Sequence, residues 1–239
     1  PCSIPLRALV PALLAGNAVV WKPSELSTQI GRKLHAIFSA ELPPGLLQLV
    51  IGEGDVGEAL VDADVDLVSF TGSAAVGKRI AQRTAHRLIP VSLELGGKNA
   101  AVVLEDADLD RASAGIVWSA YANAGQNCAA MSRCYVVEPV AAEFKRKVQA
   151  RYAAIRTGAD GGELFDVPPV AAKKHLERVT RHVSEAKQAG VPVQGGDAAA
   201  KGFWLQPALV EAPAAGLTIT KEETFGPALS LYVVKDEAE

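Results

Sequence analysis

The sequence predicts an α/β fold built on parallel strands, and three observations carry that expectation. Short apolar runs alternate with helical patterns through the N-terminal part of the chain, the order that strand–helix–strand units require. Glycine and proline clusters punctuate the runs. A chain of 239 residues, 49% hydrophobic and 21% charged, is long enough and ordinary enough for one or two globular domains with real cores.

Strands are expected over residues 18–21, 47–51, 66–70 and 90–95. Between them, residues 27–41 and 73–86 carry apolar side chains three and four apart, such as Ile30, Leu34, Ile37 and Phe38, which is the spacing of one helix face. Pro43-Pro44-Gly45 stops the first helix, and Gly52-Glu53-Gly54-Asp55 turns the chain after the second strand. A strand follows over 100–104, then a helix from Asp108, a suitable N-cap, to residue 122, ending near Gly125. Further on come a strand over 134–138, helices over 141–152 and 171–189, and an apolar strand over 229–234. The glycine- and alanine-rich patches at 158–162 and 195–200 read as surface loops, and no internal repeat is visible.

A net charge of −3 with scattered basic residues excludes the electrostatic footprint of a nucleic-acid binder. The longest mostly apolar stretch, residues 8–21, contains Pro11, Gly16 and Asn17 and is too short to span a bilayer. No membrane partner is expected. Three cysteines, Cys2, Cys128 and Cys134, have no metal-ligand spacing, so no metal site is expected, and a reducing, cytoplasmic setting is the simplest reading.

Two residues offer chemistry. Cys128 follows Asn123-Ala124-Gly125-Gln126-Asn127 just beyond a helical run, and Glu94 lies upstream in Leu93-Glu94-Leu95-Gly96-Gly97-Lys98. A thiolate nucleophile and a carboxylate that activates water are the pair covalent catalysis needs for acyl formation and release. A lone cysteine is more often a small buried hydrophobe, and a carboxylate between leucines is often a salt-bridged strand residue. Phe70-Thr71-Gly72-Ser73-Ala74-Ala75-Val76-Gly77 follows a strand and opens a helix, where free N–H groups and a partial positive charge favour a phosphate; taken alone, a Gly-Ser helix start is more often just a cap.

The glutamate and cysteine segments resemble the aldehyde dehydrogenase superfamily. Two more stretches, Trp21-Lys22-Pro23-Ser24-Glu25 and Glu222-Glu223-Thr224-Phe225-Gly226-Pro227, match in the family's order. The resemblance implies a doubly wound, Rossmann-like parallel cofactor domain followed by a second α/β catalytic domain, with the boundary near Gly97. Residues 1–96 would then be an NAD(P)-binding domain and 97–239 a catalytic domain, both incomplete, because family members are longer and the chain reads as a central fragment.

It implies further that Cys128 attacks an aldehyde, that the thiohemiacetal passes hydride to the nicotinamide, and that Glu94 activates the water that hydrolyses the thioester. Lys22 and Glu25 would hydrogen-bond the adenosine ribose, Ser73 would contact the pyrophosphate with Gly72 and Gly52 close by, Glu223 would hold the nicotinamide ribose with Phe225 beside the ring, and Ser24 and Gly77 would also bind the cofactor. A carboxylate at Glu25 suits the free hydroxyls of NAD and repels the 2′-phosphate of NADP. The family's oxyanion-hole asparagine stands in a motif that here reads Pro1-Cys2-Ser3-Ile4-Pro5, so Ser3 takes its place with a shorter donor arm, and the following segment is shorter by about one helical turn. The implied partners are a small-molecule aldehyde and, in the full-length form, further copies of the chain. Ser3 and the fragment boundaries support an alternative, a homologue that binds nucleotide or a partner without turnover; Glu94 speaks against acyl transfer to coenzyme A.

Overall fold

The computed structural model describes residues 1–158 and 166–239, so most of the loop expected over 158–162 lies outside the described residues. These residues form two compact units, Pro1–Leu95 and Gly96–Glu239.

The first unit runs α1 (Ser3–Leu14), β1 (Val19–Trp21), α2 (Thr28–Ser39), β2 (Leu47–Leu49), α3 (Gly54–Asp62), β3 (Val68–Gly72), α4 (Ala74–Ala85) and β4 (Val91–Leu95). Each strand pair is parallel and joined across a helix, as the alternating pattern implies. The pairing comes as two ladders, with Val19 opposite Leu47 in β1–β2 and Thr71 opposite Glu94 in β3–β4. Two helices are additions to the sequence reading. The α1 helix hides in an apolar run broken by Pro11, and the α3 helix uses the expected Gly54-Asp55 turn as its own first turn. Leu9, Leu47, Val61 and Ile80 are buried in this unit. On its surface, Arg83 of α4 pairs with Asp62 and Glu58 of α3, and Arg79 with Glu58.

The second unit contains β5 (Ala100–Val103), α5 (Leu109–Tyr121), β6 (Arg133–Val137), α6 (Glu138–Ala153), α7 (Lys173–Gln188), β7 (Val193–Gly195), β8 (Ala208–Glu211), α8 (Thr218–Lys221) and β9 (Ala228–Val234). One five-stranded sheet orders them β5-β6-β9-β8-β7, parallel except for the antiparallel edge strand β7. Asp108 caps α5 as expected, its carboxylate accepting from the N–H groups of Asp110 and Arg111. The core is Val103, Val136, Phe144, Val148, Val179, Val183, Leu205, Val210 and Leu229, and the buried Tyr121 hydroxyl donates to the Ala208 carbonyl at 3.1 Å. The elements β7, β8 and α8 are three or four residues long, too short to leave a periodic signal in the sequence.

Among the described residues no helix is long and apolar enough to cross a membrane.

Candidate active site

In the first unit the candidate residues stand at the C-terminal ends of the parallel strands, the edge where open α/β sheets take their ligands. Lys22 leaves β1 and its ammonium donates to the carbonyls of Pro23 (3.0 Å) and Gly52 (3.1 Å), so Lys22 meets the turn beyond β2. Ser24 caps a 3₁₀ turn at Glu25–Ser27, accepting from the Leu26 N–H at 3.3 Å, and its hydroxyl lies 3.5 Å from the Glu25 carboxylate. Gly72 closes β3, and Ser73 is the N-cap of α4, its oxygen accepting from the Val76 N–H at 3.4 Å. Gly77 is buried where a Cβ would run into the Leu95 side chain, so this glycine lets α4 lie close on β4.

Glu94 lies on β4, half exposed, with one carboxylate oxygen 2.8 Å from the guanidinium of Arg7 on α1. Ser3 is the exposed first residue of α1. The Arg7 contact was invisible in sequence because the partners are far apart along the chain and α1 itself was not anticipated.

In the second unit Cys128 is exposed in the loop between α5 and β6, the position expected from Gly125. Its approach is conformationally demanding: Asn123, Ala124 and Gly125 have φ of 52°, 55° and 65°, three successive left-handed residues. Hydrogen bonds from Asn123 Nδ2 to the Gln126 carbonyl and from Gln126 Nε2 to the Asn123 carbonyl hold this turn, and Gln126 Oε1 accepts from the Ala171 N–H. A Cβ at position 125 would collide with the Gly226 carbonyl, so the cysteine segment and the Glu222-to-Pro227 segment touch backbone to backbone.

That second segment carries Glu223, against whose carboxylate the Gly96 backbone is packed, and Phe225, whose φ is 48° and whose ring meets His175 edge-on at 5.8 Å. A cavity of about 20 Å³ lies between the two segments, lined in part by Asn99, Gly125, Asn127, Glu223 and Phe225. Behind it, buried His182 has Nδ1 3.3 Å from the Thr224 hydroxyl, and burial, reinforced by Arg181, lowers its pKa. Lys98 is pulled down to about 8 by burial and by Arg133, against the opposing charge of Glu223.

The three thiols are chemically distinct. Cys134 is fully buried on β6, and burial pushes its pKa up to about 12, whereas Cys2 and Cys128 are exposed. Iodoacetamide at neutral pH is therefore expected to modify Cys128 and Cys2 in the folded chain and to spare Cys134. Peptide mass mapping reads the outcome, and modification of Cys134 ahead of Cys128 would overturn the assignment of the accessible thiol.

Asn99, Arg7 and His182 were passed over in sequence. A signal existed only for Asn99, which directly follows the Gly96-Gly97-Lys98 motif.

The family model described as "Aldehyde dehydrogenase family" matches residues 1–239. The chain is 39% identical over 240 residues to a 4,4'-diapolycopene aldehyde oxidase of Methylomonas sp, covering all of this chain and 45% of that protein. It is 36% identical over 243 residues to an alpha-ketoglutaric semialdehyde dehydrogenase of Bacillus subtilis, covering 98% of this chain and 50% of that protein. Among solved structures, a putative aldehyde dehydrogenase, PutA, from Anabaena variabilis superposes with a TM-score of 0.92 at 34% identity, covering 99% of this chain and 51% of that one. A Mycobacterium tuberculosis aldehyde dehydrogenase complexed with NAD+ superposes with a TM-score of 0.89 at 34% identity, covering 95% and 48%. The chain thus spans about half the length of the relatives it matches.

Proposed function

Since this chain belongs to the aldehyde dehydrogenase family, we propose that it carries the catalytic centre of an NAD(P)-dependent enzyme that oxidises a small aldehyde to a carboxylate. The observation that supports this most is the backbone contact of Gly125 with Gly226. It brings an exposed cysteine loop and the Glu223–Phe225 loop to one small cavity, although about a hundred residues separate them along the chain.

In this reading the Cys128 sulfur bonds to the aldehyde carbon and the carbonyl electrons move to oxygen. NAD+, when bound, supplies a two-electron acceptor for the hydride on that carbon. Re-formation of the carbonyl leaves a thioester on Cys128. Glu94 takes a proton from water, the resulting hydroxide adds to the thioester, and breaking the C–S bond returns the thiolate and releases the carboxylate. Ser3 and the Cys128 N–H are the proposed donors to the oxyanion.

The residues present fit a dinucleotide. The N-terminal turn of α4 presents N–H groups beside Gly72 and Ser73, and Lys22, Ser24, Glu25 and Gly52 follow the C-terminal ends of β1 and β2, where Lys22 donates to the Gly52 carbonyl. With Gly77 closing α4 onto β4, these would hold the adenosine and pyrophosphate, and Glu223 and Phe225 the nicotinamide half. The Mycobacterium relative was solved with NAD+, in keeping with NAD as the favoured form and NADP as a possible one. We further propose residues 1–96 as the cofactor domain, 97–239 as the catalytic domain, a cytoplasmic setting, and homo-oligomers in the full-length form.

A second reading, binding without turnover, is favoured by the Arg7–Glu94 ion pair, which holds one oxygen of the proposed base at 2.8 Å from a guanidinium.

Aldehyde-dependent reduction of NAD+ and NADP+ by a full-length protein that carries this sequence separates the two readings. Activity is expected, with NAD+ preferred, and Glu25→Ala is expected to narrow that preference at least about threefold by removing the charge that repels a 2′-phosphate. A full-length protein that binds NAD+ but never reduces it establishes the second reading, and an unchanged preference in the variant removes Glu25 from cofactor choice.

A further inference from the structure

We propose that Asn99 is the positioning residue of the cysteine loop, an inference that rests on reading Cys128 as the nucleophile. Asn99 sits directly before β5, and its two ends grip different things. Its main-chain carbonyl accepts from the N–H groups of Ser132 (3.2 Å) and Arg133 (3.1 Å) and from the Ser132 hydroxyl (3.0 Å), which ties it to the start of β6. Its side-chain nitrogen donates to the carbonyls of Cys128 (2.7 Å) and Ala130 (3.0 Å).

The donor count explains the residue type. A primary amide carries two hydrogens on one nitrogen, one for each carbonyl; a serine hydroxyl has one, and an aspartate has none. The upstream side of the loop is held separately by Asn127, whose side-chain oxygen accepts from the Ala129 N–H and whose carbonyl accepts from the Ala130 N–H, both at 3.0 Å. Cys128 thus lies between an upstream clamp made by the loop itself and a downstream clamp supplied by Asn99. The left-handed turn at Asn123 to Gly125 carries backbone strain, and anchors on both sides of the thiol keep the loop from relaxing away from it. Asn99 touches neither the sulfur nor any reacting atom; it acts by fixing the peptide plane that leaves Cys128.

The test uses the 239-residue chain with Asn99→Asp, which matches the shape and removes both donors, and Asn99→Ala as a second variant in case the first is poorly folded. Hydrogen exchange of the Ala129 and Ala130 amides is expected to accelerate at least about tenfold, while amides in α5 and β6 stay within about twofold. Unchanged loop exchange overturns the proposal. So does equal acceleration in α5 and β6, which makes Asn99 a support of the whole unit rather than of the loop. In turnover, kcat is expected to fall about tenfold to a hundredfold, with the KM for aldehyde and the iodoacetamide rate at Cys128 within about threefold, because displacing a reacting group costs hydride transfer more than simple alkylation. A joint fall of alkylation and turnover also overturns it. If Cys128→Ser still oxidises aldehyde, the functional reading fails while the exchange measurement still decides on Asn99.

Discussion

Cys128→Ser is expected to lower aldehyde-dependent NAD+ reduction by at least about ten-thousandfold, the scale on which covalent enzymes lose rate with their nucleophile. The substitution changes one atom on an exposed loop, so the fold should be untouched. What changes is acidity. A thiol reaches its nucleophilic anion near neutral pH and a serine hydroxyl does not without a strong partner base. Among the described residues, the side-chain hydrogen bond of the Cys128 sulfur runs to the Asn127 amide oxygen at 3.6 Å, which is no base. Titration of NAD+ into the variant should give an affinity within about twofold of the parent, since the proposed adenosine and pyrophosphate contacts lie in the other unit. A serine variant with even a tenth of parental turnover would move the chemistry to another residue.

Glu94→Gln is expected to separate the two halves of the reaction. The amide keeps the size of the side chain but cannot accept a proton from water, so steady turnover should fall about a hundredfold to ten-thousandfold. Acyl formation does not need this carboxylate. A rapid burst of up to one NADH per chain should therefore precede the slow phase, and intact-protein mass should reveal the acyl group retained on Cys128. The variant also loses the ion pair to Arg7, an exposed contact whose loss costs stability at most about 1 kcal/mol. Hydrolysis as fast as in the parent, with no acyl species detected, would falsify the assignment and leave Glu94 as the partner of Arg7 alone.

The parts of this fold that were legible in sequence are those with a local cause. Apolar spacing in Ile30, Leu34 and Ile37 marks α2, Asp108 marks the start of α5, and Gly125 marks the end of the helical run that delivers Cys128 to a loop. The reading failed where the local signal was contradictory or too short. The two prolines of α1 argue against a helix although the backbone tolerates them, and β7 and β8 have too few residues to show alternation. The site divides the same way. Burial of Cys134 could be read from its apolar neighbours, whereas Arg7 against Glu94 and Asn99 against Cys128 join residues that only the folded chain brings into contact.

On the proposed reading of the cofactor site, Ser73 would make one small group serve two masters. Its oxygen gives a lone pair to the Val76 N–H to begin α4, and among the described residues nothing accepts the hydroxyl proton. A phosphate oxygen wants a proton, and a helix start wants a lone pair, so the two demands fall on opposite ends of a single O–H dipole. Threonine could meet both, aspartate would keep the helix start while driving a phosphate away, and alanine would meet neither. Helix initiation and the proposed anion capture at this position are therefore genetically separable traits of one atom pair.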